Sequence, residues 1–182
     1  MRLYRQTVQD HGLYTGLELE DEQLQKLRQD AGAMSAKMRA VRIVTATNVS
    51  KSDLQRRLVQ KGEDPTQAKE AVDWMQSLSL VDDAKTAEQI VSSCVRKGYG
   101  LARAKQALFE KRIPKSYWDE ALSEYPDQTD HILTFLRSRI TDPEDEKQIR
   151  KATDALIRRG HSYGQIRQAL RQLQVDDEFL EE

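Results

Sequence analysis

Apolar residues recur along this chain at helical spacing. Ala87, Ile90, Val91 and Cys94 step as i, i+3, i+4 and i+7, the stripe of a helix packed on one face. Ile149, Ala152, Thr153 and Leu156 repeat the step, and Ala40, Val41 and Val44 give an earlier form of it. The two later helices are predicted to end at Gly98 and Gly160, preceded by Arg96-Lys97 and Arg158-Arg159. Glycine accepts the left-handed turn after a helix, and cations suit the helix's negative end. A second helix follows each turn, with stripes Leu101, Ala104, Leu108 and Tyr163, Ile166, Leu170. In the earliest copy Ser50 and Asp53 predict a capping box before Leu54 and Leu58.

A third helix is predicted to open at Asp64-Pro65 and at Ile113-Pro114, where proline's missing N–H costs nothing. The first of these reaches about Leu78 and holds Ala71, Val72, Trp74 and Met75. The second reaches about Tyr125 and holds Tyr117, Trp118, Ala121 and Leu122. In the last copy the corresponding stretch ends in Asp176-Asp177-Glu178-Phe179-Leu180, a frayed or truncated helix. Pro126 and Pro143 bracket a further helix with Ile132, Leu133, Phe135, Leu136 and Ile140.

These segments are one unit written three times. Val41 to Lys61 lies over Val91 to Lys111 and over Thr153 to Leu173 without a gap, bringing VRKGYG (Val95 to Gly100) onto IRRGHS (Ile157 to Ser162). The reading is an all-α chain of tandem three-helix repeats in an elongated, curved arrangement. Repeats occupy 34–80 and 81–126, and an inserted helix plus a third repeat occupy 127–182. Residues 1–33 form an N-terminal extension with a short acidic helix at about 20–30. Its first 19 residues, with Gly12 and Gly16, have room for a short strand, and the stretch reads as the remnant of a preceding region.

Charged residues make up 32% of the 182 and hydrophobic ones 38%, lean for a spherical core and ordinary for an elongated repeat protein. No apolar run approaches the roughly 20 residues of a membrane span, no signal peptide is visible, and Cys94 has no second cysteine to pair with. A cytoplasmic monomer without a membrane partner is expected. The net charge of −1 hides strong alternation. Residues 34–62 carry seven Lys/Arg against one Asp, 91–115 seven against one acid, and 148–174 six against one. The intervening 63–90 and 116–147 are acidic, with two cations against seven acids and three against nine.

Catalysis finds little support. His11, His131 and His161 are far apart, and no HExxH, cysteine pair, GxxxxGK[ST] loop or GxGxxG fingerprint occurs. The GYG of Gly98 to Gly100 reads as a helix–helix turn and Cys94 as a small core residue. No cofactor, no metal and no enzyme activity are expected. What remains is binding, through cations gathered at the end of each first helix and along each second helix. Arg96 matches Arg158, Lys97 matches Arg159, Lys105 matches Arg167 and Lys61 matches Lys111, while Arg56, Arg57, Arg103, Arg112 and Arg171 thicken the same blocks. With the apolar stripes turned inward, most of these cations are expected to face outward, toward phosphate backbones or an acidic protein groove. Tyr99, Tyr163 and Phe109 join the blocks, for packing or for base stacking.

The strings SKSDLQRRLVQKGEDPTQAKEAV, LSLVDDAKTAEQIVSSCVRKGYGLARAKQALFEKRIP and IRRGHSYGQIRQAL resemble the RecX family of bacterial recombination regulators. The most specific piece is Leu80 to Leu108, which is similar to that family's LDDxxFAxxxVxxRxxRGYGPxRIxxELxxKGI region. The likeness spans about Ala31 to the end. Thr86 stands where an aromatic is usual and Leu101 where a proline is usual, departures that bear on helix packing and turn stiffness. The resemblance implies tandem three-helix units in a curved molecule, and a partner: the RecA filament on single-stranded DNA. Family members insert into or cap that filament and inhibit its ATPase and strand exchange, limiting recombination and the SOS response. The residues alone leave two other readings open. One is a stand-alone DNA-binding module, with duplex DNA as a weak partner; the other is a protein–protein scaffold of helical repeats.

Overall fold

The computed structural model describes residues 3–173. They are all-helical, and they divide into two compact units whose boundary falls between Thr86 and Ala87. The expected helix end at Asp176 to Leu180 lies outside the described residues.

The first unit opens with α1 (Arg5–Asp10) and α2 (Asp21–Ala46). Where a short strand was expected, α1 forms instead: Tyr4, Thr7 and Val8 give one turn a packed side, and Thr7 is buried. The expected acidic helix at 20–30 is likewise not separate, because α2 runs unbroken for 26 residues. Glu20 and Gln23 form its capping box, and Leu27, Ala31, Ala36 and Ala40 continue one buried stripe straight through the change in composition. Gly32 does not break the helix; it lies where any Cβ would meet the side-chain amide of Gln67.

Helices α3 (Lys51–Gln60) and α4 (Pro65–Ser77) complete the unit. Ser50 caps α3 by accepting from the Asp53 amide, and Asp64 caps α4 by accepting from Thr66 and Gln67, with Pro65 at the first helical position. Leu54, Leu58, Ala68, Ala71 and Met75 pack against Ala36 and Ala40. Full burial of each leucine and of the methionine contributes about 1.5–3 kcal/mol. The Lys51 amide donates to Asp83 Oδ1 at 2.8 Å, which ties the start of α3 to the start of α5 (Asp83–Arg96). Thr86 is buried, and its hydroxyl donates to the Asp82 carbonyl at 2.6 Å.

In the second unit α5 continues, followed by α6 (Leu101–Glu110), a 3-10 turn (Lys115–Tyr117) and α7 (Trp118–Leu122). This last segment is shorter than the expected helix to Tyr125. It starts as a 3-10 turn behind Pro114, and the Trp118 indole N–H donates to the Ile113 carbonyl at 3.0 Å, folding the segment back on the loop before it. Ala87, Val91, Leu108 and Ile113 form its core. Next come α8 (Thr129–Arg139), α9 (Glu146–Arg158) and α10 (Tyr163–Gln172). Ile132, Leu136, Ile149, Leu156, Ile166 and Leu170, each essentially fully buried, make their shared core. Among the described residues no helix is long and apolar enough to cross a membrane.

Candidate anion-binding site

Two helix–helix turns of the second unit pack on each other backbone to backbone. The turn between α5 and α6 passes through Gly98, Tyr99 and Gly100; that between α9 and α10 passes through Arg159, Gly160 and His161. Gly100 offers no side chain to cap α6. Instead its amide donates to the Arg159 carbonyl at 2.9 Å, and the Ala102 amide donates to the Gly160 carbonyl at 3.3 Å. The first orphan donors of one helix are thus satisfied by carbonyls at the end of another. A Cβ on Gly100 would run into the Gly160 carbonyl. Gly160 itself has φ +86°, and a Cβ there would lie 2.6 Å from Arg103 Cβ.

His161 bolts the contact from the other side. Its Nε2 lies 3.0 Å from the Gly98 carbonyl. A carbonyl can only accept, so Nε2 carries the proton and Nδ1 is left bare, buried and without a hydrogen-bond partner. Burial holds this imidazole below its ordinary value of 6.5, and repulsion from Arg159 and His131 adds to it against the raising effect of the Gly98 bond. Tyr125 secures the neighbouring turn by donating to the Tyr99 carbonyl at 2.6 Å. Its phenol is pushed up to about 12 by burial and then by Cys94, so it stays neutral. Burial also raises the Cys94 thiol, against the lowering pull of Lys97 and Arg103, consistent with an inert core residue.

This junction brings residues 60 positions apart around one cavity of about 320 Å³, lined by Tyr99, Arg103, Phe135, Arg139, Ala155, Arg158 and Arg159. Four arginines line it, and among the described residues no carboxylate does. The Arg159 guanidinium lies 4.7 Å from the Phe135 ring centre and that of Arg139 5.6 Å from it, within cation–π range. Arg103 also donates to Glu110 at 3.0 Å. Arg139 was not singled out in the sequence, and Phe135 was read only as an apolar position of the inserted helix, not as a binding residue. They sit on the inserted helix, inside a stretch whose acidic balance conceals the paired cations Arg137 and Arg139 at its end.

Other candidate residues are placed elsewhere. Arg96 lines a separate cavity of about 370 Å³ together with Glu88, Glu120 and Glu124, so its surroundings are acidic although it matches Arg158 in sequence. Lys97, Lys105, Lys111, Arg112 and Arg171 are exposed, Arg167 is half-buried, and Tyr163 is exposed at the start of α10. Arg56 and Arg57 do not simply face outward. Both bind the buried Asp53 carboxylate, at 2.6 and 2.8 Å. In the first unit Arg57 and Lys61 join Arg39 and Arg42 around a cavity of about 330 Å³, where Arg39 is already paired with the buried Glu63 at 2.6 Å. Among the described residues no three His, Cys, Asp or Glu side chains are grouped to hold a metal ion.

Comparison with known proteins gives one answer. A family model described as RecX, second three-helix domain, matches residues 82–122. The chain is 28% identical over 183 aligned positions to the regulatory protein RecX of Clostridioides difficile, covering 97% of this chain and 86% of that one. It is 30% identical over 136 positions to the RecX of Xanthomonas campestris pv. campestris, covering 73% and 84%. A crystal structure of a regulatory protein RecX shares the fold with a TM-score of 0.69 at 18% identity, over 93% of this chain and 86% of that one. RecX from Lactobacillus salivarius gives 0.68 at 18% identity, over 80% and 98%.

Proposed function

Because this chain belongs to the RecX family of regulatory proteins, we propose that it binds the RecA filament on single-stranded DNA and inhibits its ATPase and strand exchange, thereby restraining recombination and the SOS response. The observation that carries the reading, beyond family membership, is that the cations closing the first helices and lining the second stay exposed on a chain of near-zero net charge. Arg96, Lys97, Lys105, Lys111, Arg112, Arg158 and Arg171 are all exposed. Such a surface meets acidic protein and DNA phosphates alike, and several weak contacts on one chain sum through effective concentration. Inhibition follows when the bound chain favours one filament state over the other.

The test is a titration of this protein into RecA filaments at two salt concentrations, reading DNA-dependent ATP hydrolysis. The expected result is inhibition that weakens as salt rises. No inhibition at any ratio of protein to RecA would overturn the reading.

A further inference from the structure

We propose that the four-arginine cavity at the junction of the two turns is a phosphate-binding site, which takes the phosphodiester backbone of an unpaired nucleic-acid strand or the polyphosphate chain of a free nucleotide. The cavity's composition selects the ligand. Arg103, Arg139, Arg158 and Arg159 each carry five N–H donors in a planar fork, and among the described residues Glu110 takes one, from Arg103. A single carboxylate offers about four acceptor positions and one charge. It would leave most of these donors and most of the positive charge unanswered. Phosphate oxygens on successive groups supply repeated acceptors and repeated charge in a space of about 320 Å³.

The site is also built rather than incidental. Arg159 and Arg139 are held against Phe135, and Arg103 is held by Glu110 and by the backbone of Gly160 pressed against its own. Groups fixed before binding lose little freedom on binding. The same arrangement settles what is read. Phe135 already has the Arg159 and Arg139 guanidinium groups 4.7 and 5.6 Å from its ring centre, contacts that compete with stacking of a base on the ring. With arginines as its charged groups, the cavity recognises the backbone, which carries no base sequence.

The assignment rests on the filament reading only for the choice of nucleic acid as one source of phosphate, and its test contains no RecA. Fluorescence anisotropy would follow the full chain binding oligothymidylate, a peptide nucleic acid of the same bases with a neutral backbone, and a polyglutamate peptide. Inorganic tripolyphosphate and ATP would be added as competitors. Binding to oligothymidylate alone is expected, with a salt slope of about −0.7 per phosphate contact. The Arg139→Gln, Arg158→Gln double variant should bind at least tenfold more weakly with a shallower slope, while Arg137→Gln, outside the cavity, binds as before.

Displacement by tripolyphosphate and ATP, lost in the double variant, assigns free polyphosphate as a source as well; no displacement assigns the strand alone. Equal binding of the neutral-backbone oligomer or of polyglutamate overturns the proposal, as does full affinity in the double variant. Should that variant fail to fold by circular dichroism, Arg139→Gln alone, at an exposed position, gives the same decision.

Discussion

His161 shows how one side chain can serve structure and carry a liability. Its Nε2–H reaches the Gly98 carbonyl while Nδ1 has nowhere to put a second proton. Protonation would bury an unpaired charge beside Arg159, so the folded chain resists it. As pH falls through about 6.5 the unfolded chain takes up a proton here that the folded chain does not, and stability falls; above that range the residue has no pH effect. One proton corresponds to at most about 1.4 kcal/mol per pH unit. Urea midpoints measured at pH 7.5 and 5.5 should show a smaller acid loss in His161→Gln, whose longer side chain carries an amide N–H toward Gly98 but does not titrate. An unchanged loss would mean that other groups dominate. None of this was legible in the sequence, where His161 was one of three scattered histidines, because its partner lies 63 residues away.

At the scale of elements, what was legible was what is local. Stripes such as Ala87–Ile90–Val91–Cys94 and the prolines at helix starts depend on neighbours within a few residues, and those helices are present. Continuity is different. The start of α2 looked separate because its surface turns from acidic to basic near residue 34, yet Leu27, Ala31, Ala36 and Ala40 keep one buried stripe throughout. Surface composition is not what sets a helix boundary. Helix α3 makes the complementary point about charge. Arg56 and Arg57 were read as outward binding groups, but Asp53, buried in the first turn, holds both. Asp53→Asn should therefore lower stability by about 1–2 kcal/mol, a sum of two partly exposed charge-assisted bonds and the first-turn carboxylate. The urea midpoint would drop with little change in slope, and a loss below about 0.3 kcal/mol would show that the pair contributes nothing measurable.

Over the whole molecule, the alternation of basic and acidic blocks was visible in the sequence, but the candidate cavity was not. It combines Tyr99 and Arg103 from one copy, Arg158 and Arg159 from the next, and Phe135 and Arg139 from the helix between them. Only packing can report that convergence. The division into two units makes a prediction at the same scale. Gly160→Ala places a side chain at φ +86° and against Arg103, which costs about 1–3 kcal/mol from the backbone conformation alone. Amide exchange should quicken roughly 5- to 150-fold in α6, α9 and α10, with α2 to α4 unchanged. Uniform acceleration through both sets of helices would show that the units unfold together.

The paired turns have a consequence for how such a chain can change over generations. Repeat arrays often grow or shrink by copying or deleting a unit, because each unit brings a complete set of contacts. Here Arg159 and Gly160 supply the carbonyls that cap α6, and Gly98 supplies the acceptor for His161. Removing the last copy would uncap a helix in the copy before it, and pasting in another would need a glycine where Gly160 stands. At this position the array is not a string of interchangeable parts. It is a pair of copies whose sequences can drift only together.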